Sequence, residues 1–287
     1  MILSMTGYGK AKKNYENKNI YIEIKTLNSK NVDLKLRFPS LYKEKEIEMR
    51  KLITQKLKRG KIDVLIQVED LDNKPQNKIN KDILNDYLQQ LKDIHPTADE
   101  TQLLVAALRL PDVLQAEKKE LTENEWEAVK QIFELAFQNL NKYRIDEGKS
   151  IEKDLKTRIK NIRKQLKIIE KLDPQRIEHI KAHIKKSLKQ LKQEVDYNRF
   201  EQELIYYLEK LDINEEMVRL TNHLDYFEEQ LDKKTERKGK KLGFISQEMG
   251  REINTIGSKA NDSQVQREVV KMKDELEKIK EQVLNVL

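Results

Sequence analysis

From about Asn80 to the carboxyl terminus the apolar residues recur every three or four positions, and that period constrains the fold more than any other feature. Ile151, Leu155, Ile159, Ile162, Leu166 and Ile169 keep it, as do Ile177, Ile180, Ile184, Leu188, Leu191 and Val195. A final series, Val265, Val269, Met272, Leu276, Ile279, Val283 and Val286, alternates steps of four and three, the seam of a coiled coil. Helix starts are expected at Thr97-x-x-Glu100, Thr122-x-x-Glu125, Asp173-Pro174 and Ser263-x-x-Gln266. Because an Asp-Pro pair reads as a cap before a first helical turn, the two long series are expected to form an antiparallel hairpin broken at Pro174. With only 8 Gly and 5 Pro in 287 residues, collagen-like, low-complexity and turn-rich all-β classes are disfavoured.

Only the first seventy or so residues read as sheet. Ile20, Ile22 and Ile24, then Val32, Leu34 and Leu36, then Ile62, Val64, Ile66 and Val68, alternate with polar residues at period two. An earlier strand is expected over Ile2 to Met5, continuing past the Gly7-Tyr8-Gly9 kink, and a helix over Leu41 to Lys58 ends at Arg59-Gly60. The order is β-β-β-α-β. The fold class is therefore an α+β amino-terminal domain followed by a mainly α-helical carboxyl-terminal region with a long helical hairpin. The expected divisions are 1–148 for the α+β domain, 149–195 for a basic hairpin connector, and 196–287 for a helical domain carrying the site.

The formal net charge is +7, but its distribution is uneven. Between Lys149 and Gln193 there are 15 Lys and Arg against 5 Asp and Glu, so the remainder is slightly acidic. Such a segment suits a polyanion, since phosphate contacts gain free energy from counterion release, and it equally suits a solvated helix face. There is no Cys, which excludes disulfides, thiolate metal sites and cysteine nucleophiles. Neither a membrane span nor a secretory leader is legible, so the reading is a cytoplasmic protein with no membrane partner. No P-loop, dinucleotide-binding glycine motif or H-E-x-x-H occurs, and no nucleotide cofactor is expected.

Chemistry-bearing residues concentrate between Asn214 and Asp262. In a helix from about Asn214 to Leu231, Met217, Leu220, Leu224, Phe227 and Leu231 form the buried stripe, while Glu216, Arg219 and His223 share a neighbouring face. A basic loop, Arg237-Lys238-Gly239-Lys240-Lys241, leads into a helix that aligns Glu248 with Glu252 and Gln247 with Arg251. Two carboxylates one turn apart suit a hard divalent cation completed by water and phosphate, or else form a surface ion-pair ladder. The small polar run Asn254 to Asp262, with Gly257, reads as a phosphate cradle or a simple joint between helices. His179 and His183, four apart, are a weaker candidate metal pair.

Several runs resemble a known family. Ser4-Met5-Thr6-Gly7-Tyr8-Gly9, Asn28-Ser29-Lys30-Asn31-Val32-Asp33, Arg59-Gly60-Lys61-Ile62-Asp63-Val64 and Leu110-Pro111-Asp112-Val113-Leu114 resemble the amino-terminal half of the YicC/YloC endoribonucleases. The carboxyl-terminal likeness is denser: Asp212 to Glu216, Arg219-Leu220, His223-Leu224, Gly239-Lys240-Lys241-Leu242-x-Phe244-Ile245, Gln247-Glu248, Arg251-Glu252-x-Asn254 to Lys259, and Lys273-x-Glu275 to Ile279-x-Glu281-Gln282-Val283. The resemblance implies a metal-dependent endoribonuclease acting on single-stranded RNA, using Mn²⁺ or Mg²⁺, and assembled as a homo-oligomer, a hexamer. Where helical spacing agrees, it carries site roles to Glu216, His223, Glu248, Arg251 and Glu252; the expected metal ligands are Glu216, Glu248 and Glu252, and the expected catalytic residues are His223, Glu248, Arg251 and Glu252, joined by Lys259 as a second cation on the scissile phosphate. RNA phosphates would meet Arg237, Lys238, Lys240, Lys241, Lys181 and Lys185. Two departures stand out: Gly243 occupies a position where the family usually has Asp, and Asn31 one where an aromatic is usual. The rival readings are a non-catalytic adaptor that presents RNA to another nuclease, and a structural coiled-coil assembly protein.

Overall fold

A computed structural model describes residues 2–57, 59–71, 77–116, 121–190, 197–233 and 238–287. Strands β1 (Gly7–Tyr15), β2 (Lys18–Leu27), β3 (Val32–Arg37) and β4 (Gly60–Asp70) form one sheet in the order β1-β2-β4-β3. Its pairs are antiparallel except β3 with β4, which are parallel because helix α1 (Glu46–Lys56) crosses between them. Register places Ile22 opposite Ile66 and Ile24 opposite Val64, so the alternating isoleucines share one buried face. A two-stranded ribbon, β5 (Asn77–Ile79) with β6 (Leu114–Ala116), brackets α2 (Lys81–Ile94) and α3 (Glu100–Ala107). After the long α4 (Glu123–Gln190) the described residues form α5 (Tyr197–Lys210), α6 (Asn214–Asp232), α7 (Gly239–Ala260) and α8 (Ser263–Val283).

Helix α4 belongs to two cores. Its first part, Trp126, Val129, Ile132, Phe133, Ala136 and Leu140, packs with the sheet isoleucines and with Met49 and Ile53 of α1. Its middle, Ile151 to Ile169, packs with the buried stripes of α6, α7 and α8. The apolar stripe of the basic segment is thus part of the carboxyl-terminal core. Much of the segment's charge is neutralised there: Lys156 meets Asp232 at 2.8 Å, Arg158 meets Glu275 at 3.2 Å, and Arg163 meets Glu228 at 2.6 Å. Burial alone would raise the Glu275 carboxyl, yet hydrogen bonds from Asn161, Lys278 and Arg158 hold it below the usual carboxylate value. On the outer face Lys153, Lys160, Lys164, Lys167 and Lys171 have no ion-pair partner among the described residues.

Two expectations are corrected. The chain does not reverse at Pro174, because α4 runs straight through it. Proline removes one helical hydrogen bond, but the buried guanidinium of Arg176 fixes this turn against the rest of the bundle. Its Nε donates to Asp173 Oδ1 at 2.8 Å, and its terminal nitrogens donate to the carbonyls of Ala260 at 3.0 Å and Leu211 at 2.9 Å. Tertiary contacts therefore outweigh the local breaker. The segment Ile2 to Met5 is likewise no extension of β1. Ser4 makes an isolated bridge with Val286, Leu287 N–H donates to Leu3, and Met5 N–H donates to Asn285. Both ends of the chain are thereby tied to each other. Gly7 and Gly9 serve packing, since they let β1 lie directly on α4.

Apart from Asp173-Pro174, where no helix begins, the expected helix starts are accurate to a residue or two. Thr122 accepts from Glu125 N–H as its spacing predicts, whereas α3 is capped by Asp99 rather than Thr97 and α8 by Asp262 rather than Ser263. Among the described residues no helix is long and apolar enough to cross a membrane.

Candidate functional site

Helices α6 and α7 form an antiparallel pair. Met217, Leu220, Leu224, Phe227 and Leu231 are all buried, facing Leu242, Ile245, Met249, Ile253 and Ile256 in the shared core. Their register is pinned by Lys259 Nζ on Glu216 Oε1 at 2.7 Å. Glu216 is 5% exposed, and its Oε2 is buried without a hydrogen-bond partner. Seven residues along each helix from that pair, about 10 Å at 1.5 Å per residue, bring His223 and Glu252 to one level on the paired faces. His223 is half-buried, and Glu252 is 9% exposed with no partner among the described residues. One turn earlier, Glu248 pairs with the exposed Arg251 at 3.0 Å.

The three carboxylates expected to share a metal do not converge. Glu216 lies two turns from Glu252 and is already matched to Lys259, and no three His, Asp or Glu side chains among the described residues are placed to hold an ion. What remains is Glu248 with Glu252 as a two-oxygen-donor platform. That donor set fits Mn²⁺ or Mg²⁺, which bind through one or two carboxylates and keep water or phosphate in the other positions.

The cationic residues divide. Arg237 lies outside the described residues. Lys238 is not a surface cation: it is 4% exposed, and its ammonium donates to the carbonyl of Leu231 at the end of α6. It lies directly before α7, and its backbone N–H donates to the Leu287 carbonyl, which holds it inside. Lys240 and Lys241 sit in the first turn of α7 rather than in a loop, both exposed, over the rings of Phe244 at 5.8 Å and Tyr226 at 5.0 Å. On α4, Lys181 pairs with Glu178 at 3.3 Å, while Lys185 is exposed with no ion pair among the described residues. His179 and His183 are exposed and join no metal-holding group among the described residues. The polar run from Asn254 is helical as far as Ala260, and only Asn261, at φ 42°, and Asp262 make the turn. A Cβ on Gly257 would stand 3.0 Å from Val269, so this glycine serves helix packing and cradles no phosphate.

A cleft of about 570 Å³ went unrecognised in the sequence. It opens where the sheet-bearing half meets the ends of α7 and α8, between Met5 and Arg59 on one side and Lys240, Gly243, Gln247, Glu277, Lys280 and Glu281 on the other. These residues lie far apart in sequence, so periodicity could not unite them. One signal was available: Met5, Arg59, Lys240, Gln247, Glu277 and Glu281 all fall within the runs that carry the family resemblance.

A sheet core and a charged helical core strung on one helix define a two-part architecture, and each part has its own match. Residues 2–153 match the family model described as the amino-terminal region of YicC-like endoribonucleases, and residues 169–287 match its carboxyl-terminal counterpart. The chain belongs to the YicC-like endoribonuclease family. It is 31% identical over 293 residues to a protein of Clostridioides difficile (strain 630) named "Probable endoribonuclease YicC", with each chain covered in full. It is 27% identical over 292 residues, again with full coverage of both, to the protein of the same name from Haemophilus influenzae.

Proposed function

We propose that this chain is a metal-dependent endoribonuclease that cuts single-stranded RNA, with the α6–α7 pair supplying its catalytic groups and a homo-oligomer, a hexamer, as its working form. The observation that carries the reading is family membership across both halves of the chain. The paired faces of α6 and α7 add a chemical rationale, since Glu248 and Glu252 stand one turn apart with His223 level with the second.

In this reading the protein works in the cytoplasm, and Glu248 and Glu252 are the residues that would hold Mn²⁺ or Mg²⁺. The bound ion would lower the pKa of a coordinated water and stabilise the leaving oxygen of the phosphodiester. His223 gives or takes the proton that must move as the P–O bond breaks. Arg251, whose side chain is 75% exposed, swings from Glu248 to a non-bridging phosphate oxygen once the carboxylate has another partner. Lys259 and Glu216 are positioning residues: their ion pair sets the register that brings residues 223 and 252 level. Lys240, Lys241 and Lys185 meet the flanking phosphates.

Replacing Glu248 with Ala tests the assignment. Cleavage of an end-labelled single-stranded RNA in Mn²⁺ is expected to fall by about 100-fold or more, with RNA affinity in EDTA unchanged. Turnover equal to that of the unaltered chain removes Glu248 from the site, and binding without cuts in every metal by the unaltered chain supports the adaptor reading.

A further inference from the structure

The cleft between the two halves carries two cations, Arg59 and Lys280, that the proposed catalytic face does not use, beside Lys240. Arg59 enters from the sheet side, where its Nε donates to the Ser29 carbonyl at 3.0 Å and so aims the rest of the guanidinium. Lys240 enters from the first turn of α7, and its only charged or aromatic contact among the described residues is the Phe244 ring. Lys280 enters from α8, bonded to Glu277 at 2.7 Å. Glu281 also lines the cleft and has no ion-pair partner among the described residues. Three cations thus face two carboxylates, one of them already matched.

Gly243 settles the balance. It lines the cleft, and a Cβ built on it would meet only Val283 Cγ1, at 3.8 Å. An Asp here would send a third carboxylate into this space and cancel the cationic excess. In this chain the space is left to a ligand. The adjoining Phe244 ring is 56% exposed, offering an apolar face on which a base can stack.

We propose that this cleft binds a phosphodiester of single-stranded RNA without the help of a metal ion, through Arg59, Lys240 and Lys280, and that Gly243 is what leaves it cationic enough to do so. A planar guanidinium and two ammonium groups reaching one space from three separate elements suit a phosphate with several oxygen acceptors. The site bridges both halves, so a bound strand would run from the sheet-bearing half onto α7, toward the face carrying Glu248 and Glu252. The inference rests on RNA being the substrate, as proposed above.

The test is binding of a fluorescein-labelled oligouridylate to the full chain by anisotropy, in EDTA and over a range of salt. The Arg59→Ala, Lys240→Ala double variant is expected to bind at least tenfold more weakly at low salt. Its log–log salt slope should shrink by about 1.4, two contacts at about 0.7 each for a single strand. Gly243→Asp, which adds a carboxylate without removing a contact, is expected to weaken binding severalfold with an unchanged melting temperature. Wild-type affinity and slope in both variants would overturn the proposal, as would failure of the unaltered chain to bind at low salt. Cutting in Mn²⁺ is a separate readout: RNA held in EDTA through these residues but never cut in Mn²⁺ would sink the nuclease reading and leave the cleft standing.

Discussion

Glu252→Gln is expected to lower RNA cleavage by about 100-fold or more without lowering the melting temperature. The side chain is 9% exposed, in the middle of α7, with no partner among the described residues to repay its desolvation. A carboxylate kept there for stability would have a cation or a set of donors around it, as Glu216 has Lys259 and Glu275 has Arg158 and Asn161. An amide of the same shape keeps the packing and removes the buried charge, so folding does not suffer. It also removes the negative charge that a divalent ion needs, so the chemistry does. Paired melting curves and single-turnover cleavage decide the matter. A variant that melts earlier and still cuts RNA would make Glu252 a structural residue.

Gly9→Val is expected to cost about 4 kcal/mol or more, enough to leave the amino-terminal half unfolded or insoluble. Position 9 lies on β1 where the strand presses on α4, and even a Cβ there would stand 2.2 Å from the Ala136 carbonyl oxygen and 2.5 Å from the Leu140 nitrogen. Both are backbone atoms of a helix locked into two cores, so no side chain can turn aside to make room. Gly243→Ala is the matched control. Its Cβ meets a single methyl at ordinary contact distance, and alanine in place of glycine within a helix favours folding by up to about 1 kcal/mol. Denaturant titration of the two variants beside the unaltered chain should show a large loss for the first and none for the second. Equal stabilities would contradict the packing of β1 on α4.

How far the sequence could be read depended on whether a feature was local. The alternation of Ile20, Ile22 and Ile24 announced strands because every second side chain of a strand faces the same way, and all three are buried. The seam from Val265 to Val283 announced a helix for the corresponding reason, and its residues are buried; Val286, expected to continue it, is buried beyond the helix end, in the bridge to Ser4. Pro174 misled because the breaker acts through one lost hydrogen bond, whereas Arg176 anchors the same turn to Ala260 and Leu211, residues that no local window contains. Lys238 misled in the same way: its neighbours in sequence are basic, but its position at the α6–α7 return carries it inside. The candidate site is legible only in part. Helical spacing was enough to place His223, Glu248 and Glu252 on usable faces, while the cleft joins Arg59 to Glu281 across most of the chain and needed the tertiary fold to appear.

The central claim, that this chain cuts RNA internally, is tested most directly with a circular single-stranded RNA, which has no end for an exonuclease to enter. The full chain, purified free of other nucleases, is incubated with the circle in Mn²⁺, in Mg²⁺ and in EDTA. The account predicts that full-length linear RNA appears first and shorter pieces later, with at least one of the metals and never in EDTA. A circle that is bound and stays closed under every metal would contradict it.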